Sequence, residues 1–279
     1  MVDGERRAGA LYVVSTPIGN LRDITLRAID VLRSVDLVLA EDTRHSRHLL
    51  DAHRIETAML SYHEHNEARA TETAMARLRE GSDVALISDA GTPLLSDPGA
   101  RLVAAAAEAG IPVVPIPGPS ALLAALVSSA LGGDRFTFFG FLARKGRERT
   151  EALEDLSSLR HTAVLYEAPN RVAATLRELV ERGAGARRGV VARELTKQFE
   201  EIRRGTVAEL SAYYESSPPR GEVVIVLEGI TAQPLAEAEL RERARVLRAA
   251  GLTARDVVAA LVREDGASRN LAYRLAHEE

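Results

Sequence analysis

Residues 84–99, which read VALISDAGTPLLSDPG, join a run of apolar and β-branched residues to a loop rich in glycine and proline. The apolar run predicts a buried strand, and the residues after the loop predict a helix. Gly91 lets a ligand approach the backbone closely, and Asp89 and Asp97 flank the loop. A loop of this kind can also be a plain strand-to-helix connection in which Asp97 caps the helix.

Two other predicted strands end in similar loops. Residues 11–15 run into TPIGN, and residues 113–116 run into PGPSA. Ligands of open α/β sheets bind at the carboxyl ends of the strands, where such loops emerge. Three rigid loops at one sheet edge therefore predict a concave binding pocket built largely from backbone. None of them matches the dinucleotide or the phosphate-loop signature, so the sequence supports neither NAD nor ATP as the ligand.

Apolar runs alternate with amphipathic stretches along most of the chain. The predicted strands are residues 11–15, 37–40, 84–88, 113–116, 136–141, 162–167, 190–194 and 223–228. Helical spacing of apolar residues occurs at 25–35 and 64–80, and residues 119–131 predict a buried helix. This alternation is typical of an α/β protein with a largely parallel sheet.

The sequence Leu-Gly-Gly-Asp at 131–134 interrupts this periodicity and predicts a domain boundary. We therefore expect an α/β domain at 10–131, a second α/β domain at 132–230 and a small helical appendage at 235–279. The appendage is predicted to hold three helices, at 237–250, 253–264 and 268–277, with Thr253 and Ser268 as N-caps and Gly251 and Gly266 as stops.

The amino-acid composition excludes several classes of protein. The chain has 279 residues, a formal net charge of −4, 46% apolar and 27% charged residues, which is ordinary for a globular protein. It has no cysteine, which excludes disulfides and thiolate chemistry, and no apolar run near the roughly 20 residues of a membrane span. The N-terminal MVDGERRAGA lacks the apolar core of a signal peptide, so we expect a short mobile tail and a cytoplasmic protein.

The sequence gives little support for a metal ion or DNA as the ligand. The histidines between positions 45 and 65 are not at the tight spacing of metal ligands, so we expect no metal site. A mildly acidic balance also argues against a protein that coats DNA, although local basic patches remain possible.

Seven ordered motifs together carry a family resemblance. They are STPIGNLRDIT at 15–25, AEDTRHS at 40–46, SDAGTPLLSDPG at 88–99, PGPSA at 117–121, YEAPNR at 166–171, ARELTK at 192–197 and GEVVIVLEG at 221–229. The chain resembles the ribosomal RNA small subunit methyltransferase I family, a branch of the tetrapyrrole-methylase superfamily, from about residue 10 to the C-terminal helices. Members that methylate porphyrins usually have Gly-Asp where this chain has Gly19-Asn20, and this departure fits the RNA branch.

The resemblance implies two α/β domains of the tetrapyrrole-methylase type with S-adenosylmethionine in the cleft between them. It also implies a homodimer and 2′-O-methylation of a cytidine in the decoding region of 16S rRNA in the 30S subunit. The donor-binding residues carried over by the motifs are Pro17, Asp89, Gly91, Thr92, Ser120, Ala121, Tyr166, Glu167, Ala192 and Glu222. Ser120 also has a simpler interpretation as the N-cap of the next helix.

Methylation of a hydroxyl requires that its proton be removed or its developing charge be stabilised. The candidate catalytic residues on loops are Asp23, Asp42, Arg44, Glu167 and Glu194. Each of them can equally be half of a structural ion pair, and the sequence does not single out a base.

The candidate RNA-binding residues lie in a basic segment that follows the predicted strand 136–141. They are Arg144, Lys145, Arg147 and Arg149, and Gly146 among them predicts mobility. The C-terminal arginines, at 255, 263, 269 and 274, are expected to form a second RNA surface unless those helices only pack. A basic run can also be an ordinary solvated face.

The sequence is also compatible with two alternative functions. One is methylation of a small tetrapyrrole, which Gly19-Asn20 and the helical tail oppose. The other is a donor-binding ribosome assembly factor without catalytic activity, which would share the same pocket motifs.

Overall fold

The computed structural model of the protein describes residues 9–230, 236–263 and 265–278. Most of the N-terminal tail expected at residues 1–10 lies outside these residues. The described chain forms two compact units. The first extends to Ser157 and resumes over Thr162–Glu228, and the second combines Ser158–His161 with the described residues from Gly229 onward.

The first unit begins with a five-stranded parallel sheet in the order β3-β2-β4-β1-β5. Its strands are β1 (Leu11–Val14), β2 (Leu37–Ala40), β3 (Met59–Ser61), β4 (Val84–Ile87) and β5 (Val113–Ile116). The helices between them are α1 (Leu26–Ser34), α2 (Thr43–Ala52), α3 (Glu67–Arg79) and α4 (Ala100–Glu108). All four residues of β4 are buried, because apolar clusters cover both faces of the sheet.

A second five-stranded sheet in the same unit has the order β6-β7-β10-β8-β9. Its strands are β6 (Phe136–Phe141), β7 (Thr162–Glu167), β8 (Arg188–Arg193), β9 (Glu201–Thr206) and β10 (Val223–Leu227). Its helices are α5 (Ala121–Ser129), which precedes β6, α6 (Arg147–Ser158), α7 (Val172–Leu179) and α8 (Val207–Ser216).

The expectation of a largely parallel sheet is therefore wrong for this second sheet. Only β6 and β7 pair in parallel, while β10 pairs antiparallel with β7 and β8, and β8 pairs antiparallel with β9. The physical reason is the short connection between β8 and β9, which permits a hairpin but is too short for the crossover that parallel strands need.

The helix α5 packs on the second sheet. Its Leu122 and Leu126 share a buried cluster with Val224 of β10 and with Ile18, which follows β1. The sequence predicts a wholly buried helix here, but Val127 is 81% exposed, so only one face of α5 packs.

Two strands, β3 and β9, were not predicted from the sequence. Both are edge strands, and β9 reads EIRRGT, in which charged residues replace the apolar alternation of a core strand.

The two sheets fall on either side of the predicted boundary at 131–134. Since both belong to one compact unit, the division into separate α/β domains stays a prediction.

The second unit contains α9 (Glu237–Ala249), α10 (Ala254–Arg263) and α11 (Arg269–His277) around a small apolar core. These bounds agree with the predicted helices within one residue at each described end. Thr253 and Ser268 accept hydrogen bonds from the backbones of Asp256 and Leu271, as expected of N-caps. Across the described residues, every helix is too short or too polar to cross a lipid bilayer.

Candidate active site

The loops that follow β1, β4 and β5 meet at the carboxyl edge of the first sheet. Thr16 and Gly91 exchange backbone hydrogen bonds of 2.8 and 3.0 Å, which tie the first loop to the second. The Thr92 hydroxyl donates to the carbonyl oxygen of Pro119 at 3.2 Å, which ties the second loop to the third. The three loops predicted to share one edge are thus cross-linked there, because β4, β1 and β5 are neighbours in the sheet.

A cavity of about 380 Å³ opens between these loops and the second sheet. Its volume lies within the range of small-molecule binding sites. Its lining residues are Ile18, Glu41, Asp89, Ala90, Gly91, Thr92, Leu95, Ser96, Asp97, Ala121, Phe141, Tyr166, Glu167, Ala168, Pro169, Gly221, Glu222, Val223 and Val224. The first sheet supplies loop backbone and carboxylates, and the second supplies apolar side chains around Tyr166.

The loop after β4 has an unusual backbone. Leu94 and Ser96 have φ angles of 73° and 72°, in the left-handed region that side chains other than glycine seldom adopt. Gly99 has a φ of 129°, and a Cβ there would come within 2.6 Å of Leu86 Cδ2. Such strain persists where the surroundings impose it and tends to cluster at functional sites.

Five carboxyl groups line the cavity, and two of them are neutralised. Glu167 is buried, with its carboxylate 3.3 Å from Arg171 Nε and 2.6 Å from the Thr175 hydroxyl. Glu222 accepts from Lys197 Nζ at 2.7 Å. These two carboxylates are therefore held by partners inside the protein.

The other three carboxyls, Glu41, Asp89 and Asp97, have no ion-pair partner among the described residues. Burial, followed by the negative charges of Glu41 and Asp89, raises the pKa of Asp97 to about 6. Burial also raises the pKa of Glu41, and Asp89 adds to this effect. Partly buried carboxylates that repel one another in this way favour a cationic ligand.

Aromatic side chains form the opposite wall. The rings of Tyr166 and Phe138 lie 4.9 Å apart and those of Tyr166 and Phe141 lie 5.5 Å apart. Burial raises the pKa of the Tyr166 hydroxyl, and the nearby charges of Asp97 and Glu222 raise it further. The rings are inclined to one another by 71° and 58°, so this wall offers an apolar aromatic surface next to the carboxylates.

Seven of the predicted donor-binding residues line the cavity: Asp89, Gly91, Thr92, Ala121, Tyr166, Glu167 and Glu222. The remaining three do not. Pro17 lines a neighbouring cavity of about 240 Å³, and Ala192 is fully buried in the second sheet. Ser120 caps α5, accepting from the Leu123 backbone at 3.4 Å.

Among the predicted catalytic residues, only Glu167 lines the cavity. Asp23 and Arg44 are exposed, and Asp42 caps α2, where the hydrogen bond from the Arg44 backbone lowers its pKa. Burial alone would raise the pKa of Glu194, but hydrogen bonds from Lys197 and from the Glu222 backbone leave it lowered.

The predicted basic segment is only partly a flexible loop, because α6 begins at Arg147. Arg144 and Lys145 are exposed before it, and Arg147 pairs with Glu151 one turn later at 2.6 Å. Arg149 is 9% exposed and donates to Glu178 at 2.6 Å and to Thr175 at 3.0 Å. The guanidinium of Arg149 is therefore already engaged by contacts inside the protein, and its assignment to an RNA surface stays a prediction.

Several cavity residues were missed by the sequence analysis. Glu41 and Phe141 had no predicted role, and Asp97 was a candidate helix cap. In the structure Gly99 occupies the N-cap position of α4 without a side-chain cap, and Asp97 faces the cavity instead. An available signal was the position of Asp97 before a Pro-Gly pair at a strand-end loop.

Comparison with known proteins agrees with this architecture. The family described as Tetrapyrrole (Corrin/Porphyrin) Methylases matches residues 10–211. A protein of Synechocystis sp. named ribosomal RNA small subunit methyltransferase I is 46% identical over 273 residues, which cover 97% of this chain and 98% of that protein.

Solved structures show the same fold at low identity. A cobalt precorrin-4 methyltransferase aligns with a TM-score of 0.60 and 23% identity, over 78% of this chain and 94% of that one. The uroporphyrin-III C-methyltransferase of Thermus thermophilus, solved with S-adenosylhomocysteine, aligns with a TM-score of 0.58 and 18% identity, over 79% and 97% of the two chains. The chain therefore belongs to the tetrapyrrole methylase family and, within it, to the group of proteins named ribosomal RNA small subunit methyltransferase I.

Proposed function

We propose that the protein transfers a methyl group from S-adenosylmethionine to the ribose 2′-hydroxyl of a cytidine in the decoding region of 16S rRNA. The observation that carries this proposal is the cavity, in a chain of this family, in which three of the five carboxyls form no ion pair with a described residue. Its relatives are named for the methylation of small-subunit rRNA, which gives the substrate class.

The residues of the cavity fit this donor. Its sulfonium and its ammonium group are both positively charged, and Glu41, Asp89 and Asp97 offer carboxyl groups that form no ion pair with any described residue. The flat face of its adenine can pack against an aromatic ring of this wall, such as Tyr166 or Phe141. We assign the donor contacts to the seven cavity-lining residues carried over by the resemblance and treat Pro17, Ser120 and Ala192 as supports of the surrounding loops.

The bound donor would supply an already activated methyl group. Much of the remaining task of the protein is to hold the reactants in line, a contribution worth roughly 7–11 kcal/mol when the geometry is right. The hydroxyl proton also needs an acceptor. We assign this role to an Oδ atom of Asp97, because its pKa of about 6 leaves it mostly ionised yet basic near neutral pH.

The predicted catalytic candidates take other roles in this proposal. Glu167 orients Arg171, and Glu194 orients Lys197, since each carboxylate is already engaged by its cation. Asp23, Asp42 and Arg44 are exposed residues outside the cavity; Asp42 caps α2, and of the three only Arg44 has the charge to contact RNA phosphate.

RNA would reach the cavity from the side of the basic segment. A groove that contains Arg144 shares Phe141 and Ala168 with the donor cavity, so the two spaces adjoin. Arg144, Lys145 and Arg147 are the cations that we assign to RNA phosphate. A 30S subunit as substrate places the protein in the cytoplasm, and we expect it to act as a homodimer, as the family resemblance implies.

One experiment tests the proposed function. Purified protein is incubated with radiolabelled donor and either 30S subunits that lack the modification or a precorrin-type porphyrin. We expect label in an alkali-resistant dinucleotide from 16S rRNA. Label in the porphyrin, or donor binding with no transfer to either substrate, would contradict the proposal.

A glycine variant tests the assignment of the cavity. Gly91 has a φ of +83°, and a Cβ there would come within 3.3 Å of Ile18 Cγ2 at the cavity wall. Gly91→Val should weaken donor binding, measured by calorimetry, in a protein that still folds. Gly110→Val is the matched control, since Gly110 also has a positive φ, +69°, but open space around it. Equal donor affinity in both folded variants would rule out this cavity.

A further inference from the structure

The second unit has a groove of about 520 Å³ between α10 and α11. Arg269, Tyr273 and His277 lie four residues apart along α11, so they share one face of that helix. At 1.5 Å per residue this row is roughly 12 Å long. The floor is supplied by α10 and is apolar, with residues that include Val258 and Val262.

Two aromatic rings on this face are exposed and packed against each other. Tyr273 is 62% exposed, and its ring lies 4.3 Å from that of His277 with a tilt of 34°. His277 Nδ1 lies 2.8 Å from the Tyr273 carbonyl oxygen, which fixes the orientation of the imidazole. Neither residue belongs to the buried core of the unit. A large exposed aromatic side chain held in this way is a platform on which a flat ring can stack.

Several arginines of the second unit form ion pairs with carboxylates outside the groove. Away from the groove, Arg241 and Arg274 both pair with Glu237 and Glu278, and Arg245 pairs with Glu242. Arg274 is therefore less available for RNA than the sequence analysis expects.

The arginines at the groove behave differently. Arg255 and Arg269 line it, are exposed and have no carboxylate partner among the described residues. Asp256, the nearest acid in sequence to Arg255, is held by the hydroxyl of Thr253 at 2.6 Å. The positive charge that no internal partner neutralises thus coincides with the exposed aromatic pair.

We infer that the α10–α11 groove binds single-stranded RNA, with a base stacked on Tyr273 and His277 and phosphates held by Arg255 and Arg269. Unpaired arginines next to exposed aromatic rings match the two chemical parts of an unpaired nucleotide, the phosphate and the base. A base inside a duplex is already stacked on its neighbours, so the groove should discriminate against double strands. This inference rests on the proposed function in one respect, which is that rRNA is the macromolecular substrate.

Binding of a labelled oligoribonucleotide to the full chain tests this inference. Fluorescence anisotropy with an unstructured single strand should show tighter binding than with a duplex of the same length. Tyr273→Ala should weaken single-strand binding about tenfold, whereas Tyr273→Phe, which keeps the ring, should bind like the unmodified protein. Circular dichroism melting checks that each variant is folded.

The salt dependence of RNA binding tests Arg255 and Arg269 separately from the ring of Tyr273. Replacement of both Arg255 and Arg269 by Ala should reduce the slope of log affinity against log salt by about 1.4, since each phosphate contact on a single strand contributes about 0.7. Arg245→Ala is the control, because Arg245 is also exposed to solvent but lies outside the groove and pairs with Glu242. Its slope should not change.

The outcomes separate this inference from the proposed function. Unchanged single-strand binding by folded Tyr273→Ala, or a preference for the duplex, overturns the groove assignment even if the protein methylates 30S subunits. A failure of the unmodified protein to methylate 30S subunits overturns the proposed function, while the oligoribonucleotide measurements still decide the groove.

Discussion

The carboxylate of Glu194 occupies the space into which a side chain at Gly221 would project. A Cβ built on Gly221 would come within 2.0 Å of Glu194 Oε1, and Gly221 itself has a φ of +80°. Glu194 in turn holds Lys197 at 2.9 Å, and Lys197 holds Glu222 at 2.7 Å at the cavity wall. Because Gly221 has no side chain, the Glu194 carboxylate can occupy this space and hold Lys197. Lys197 in turn orients Glu222 at the cavity wall.

Gly221→Ala should displace the Glu194 carboxylate and disturb the ion pairs that it makes. We expect the free energy of unfolding, measured with urea, to fall by roughly 1–3 kcal/mol because of the steric overlap. Gly110→Ala is the matched control, with a φ of +69° and no atom within 4 Å of the added Cβ. Equal losses in the two variants would show that the positive φ, not the overlap with Glu194, determines the cost.

The carboxyl of Asp97 should make donor binding depend on pH. Because its pKa is raised to about 6, it becomes neutral as the pH falls through that value, and the cationic donor loses an attractive charge. Calorimetry from pH 8 to pH 5 should show weakening affinity. Asp97→Asn should bind more weakly at pH 8 and lose much of this dependence, whereas Asp30→Asn, on an exposed part of α1, should not.

The same carboxyl should reduce stability above its pKa. A carboxyl whose pKa is higher in the folded than in the unfolded state destabilises the fold as pH rises past the unfolded value. Asp97→Asn should therefore be more stable than the unmodified protein at pH 8, by on the order of 1 kcal/mol once solvent screening of this half-buried group is considered. Urea unfolding at pH 8 and pH 4.5 measures the difference, which should shrink at the lower pH.

Replacement of Arg144, Lys145 and Arg147 by Ala should weaken methylation of 30S subunits and leave donor affinity unchanged. The slope of log affinity against log salt should fall by up to about 2, if all three contact phosphate. The matched control replaces three exposed arginines of α3, Arg69, Arg77 and Arg79. An identical slope in the test and control variants would remove the basic segment from the RNA surface.

Arg149→Ala should act through stability and not through RNA. Its removal leaves Glu178 and the Thr175 hydroxyl without their donor in a largely buried site, so we expect a loss of about 2–4 kcal/mol in unfolding free energy. Denaturation measures the loss, and the salt slope of RNA binding in the folded fraction should stay the same. A stable variant with a flattened slope would restore Arg149 to the RNA surface.

The features that depend on local periodicity and turn chemistry could be predicted from the amino-acid sequence. The strands at 84–87, 113–116 and 162–167, the three C-terminal helices and their caps follow from the apolar spacing and from residues such as Thr253 and Ser268. The shared edge of the three glycine- and proline-rich loops was also predictable, because strands of a parallel sheet present their carboxyl ends together. The seven motifs were sufficient to identify the family.

Which charged side chains are already neutralised could not be predicted from the sequence and became visible in the folded chain. Arg149 and Arg144 are five residues apart in a basic run, yet Glu178 and Thr175 of α7 engage the first and leave the second exposed. Glu194 and Asp97 both follow strands, yet Lys197 neutralises one, while the other faces a cavity beside Glu41 and Asp89. Partners of this kind come from distant parts of the chain, and the electrostatic interaction between two charges depends on their separation in space, which local sequence pattern does not contain.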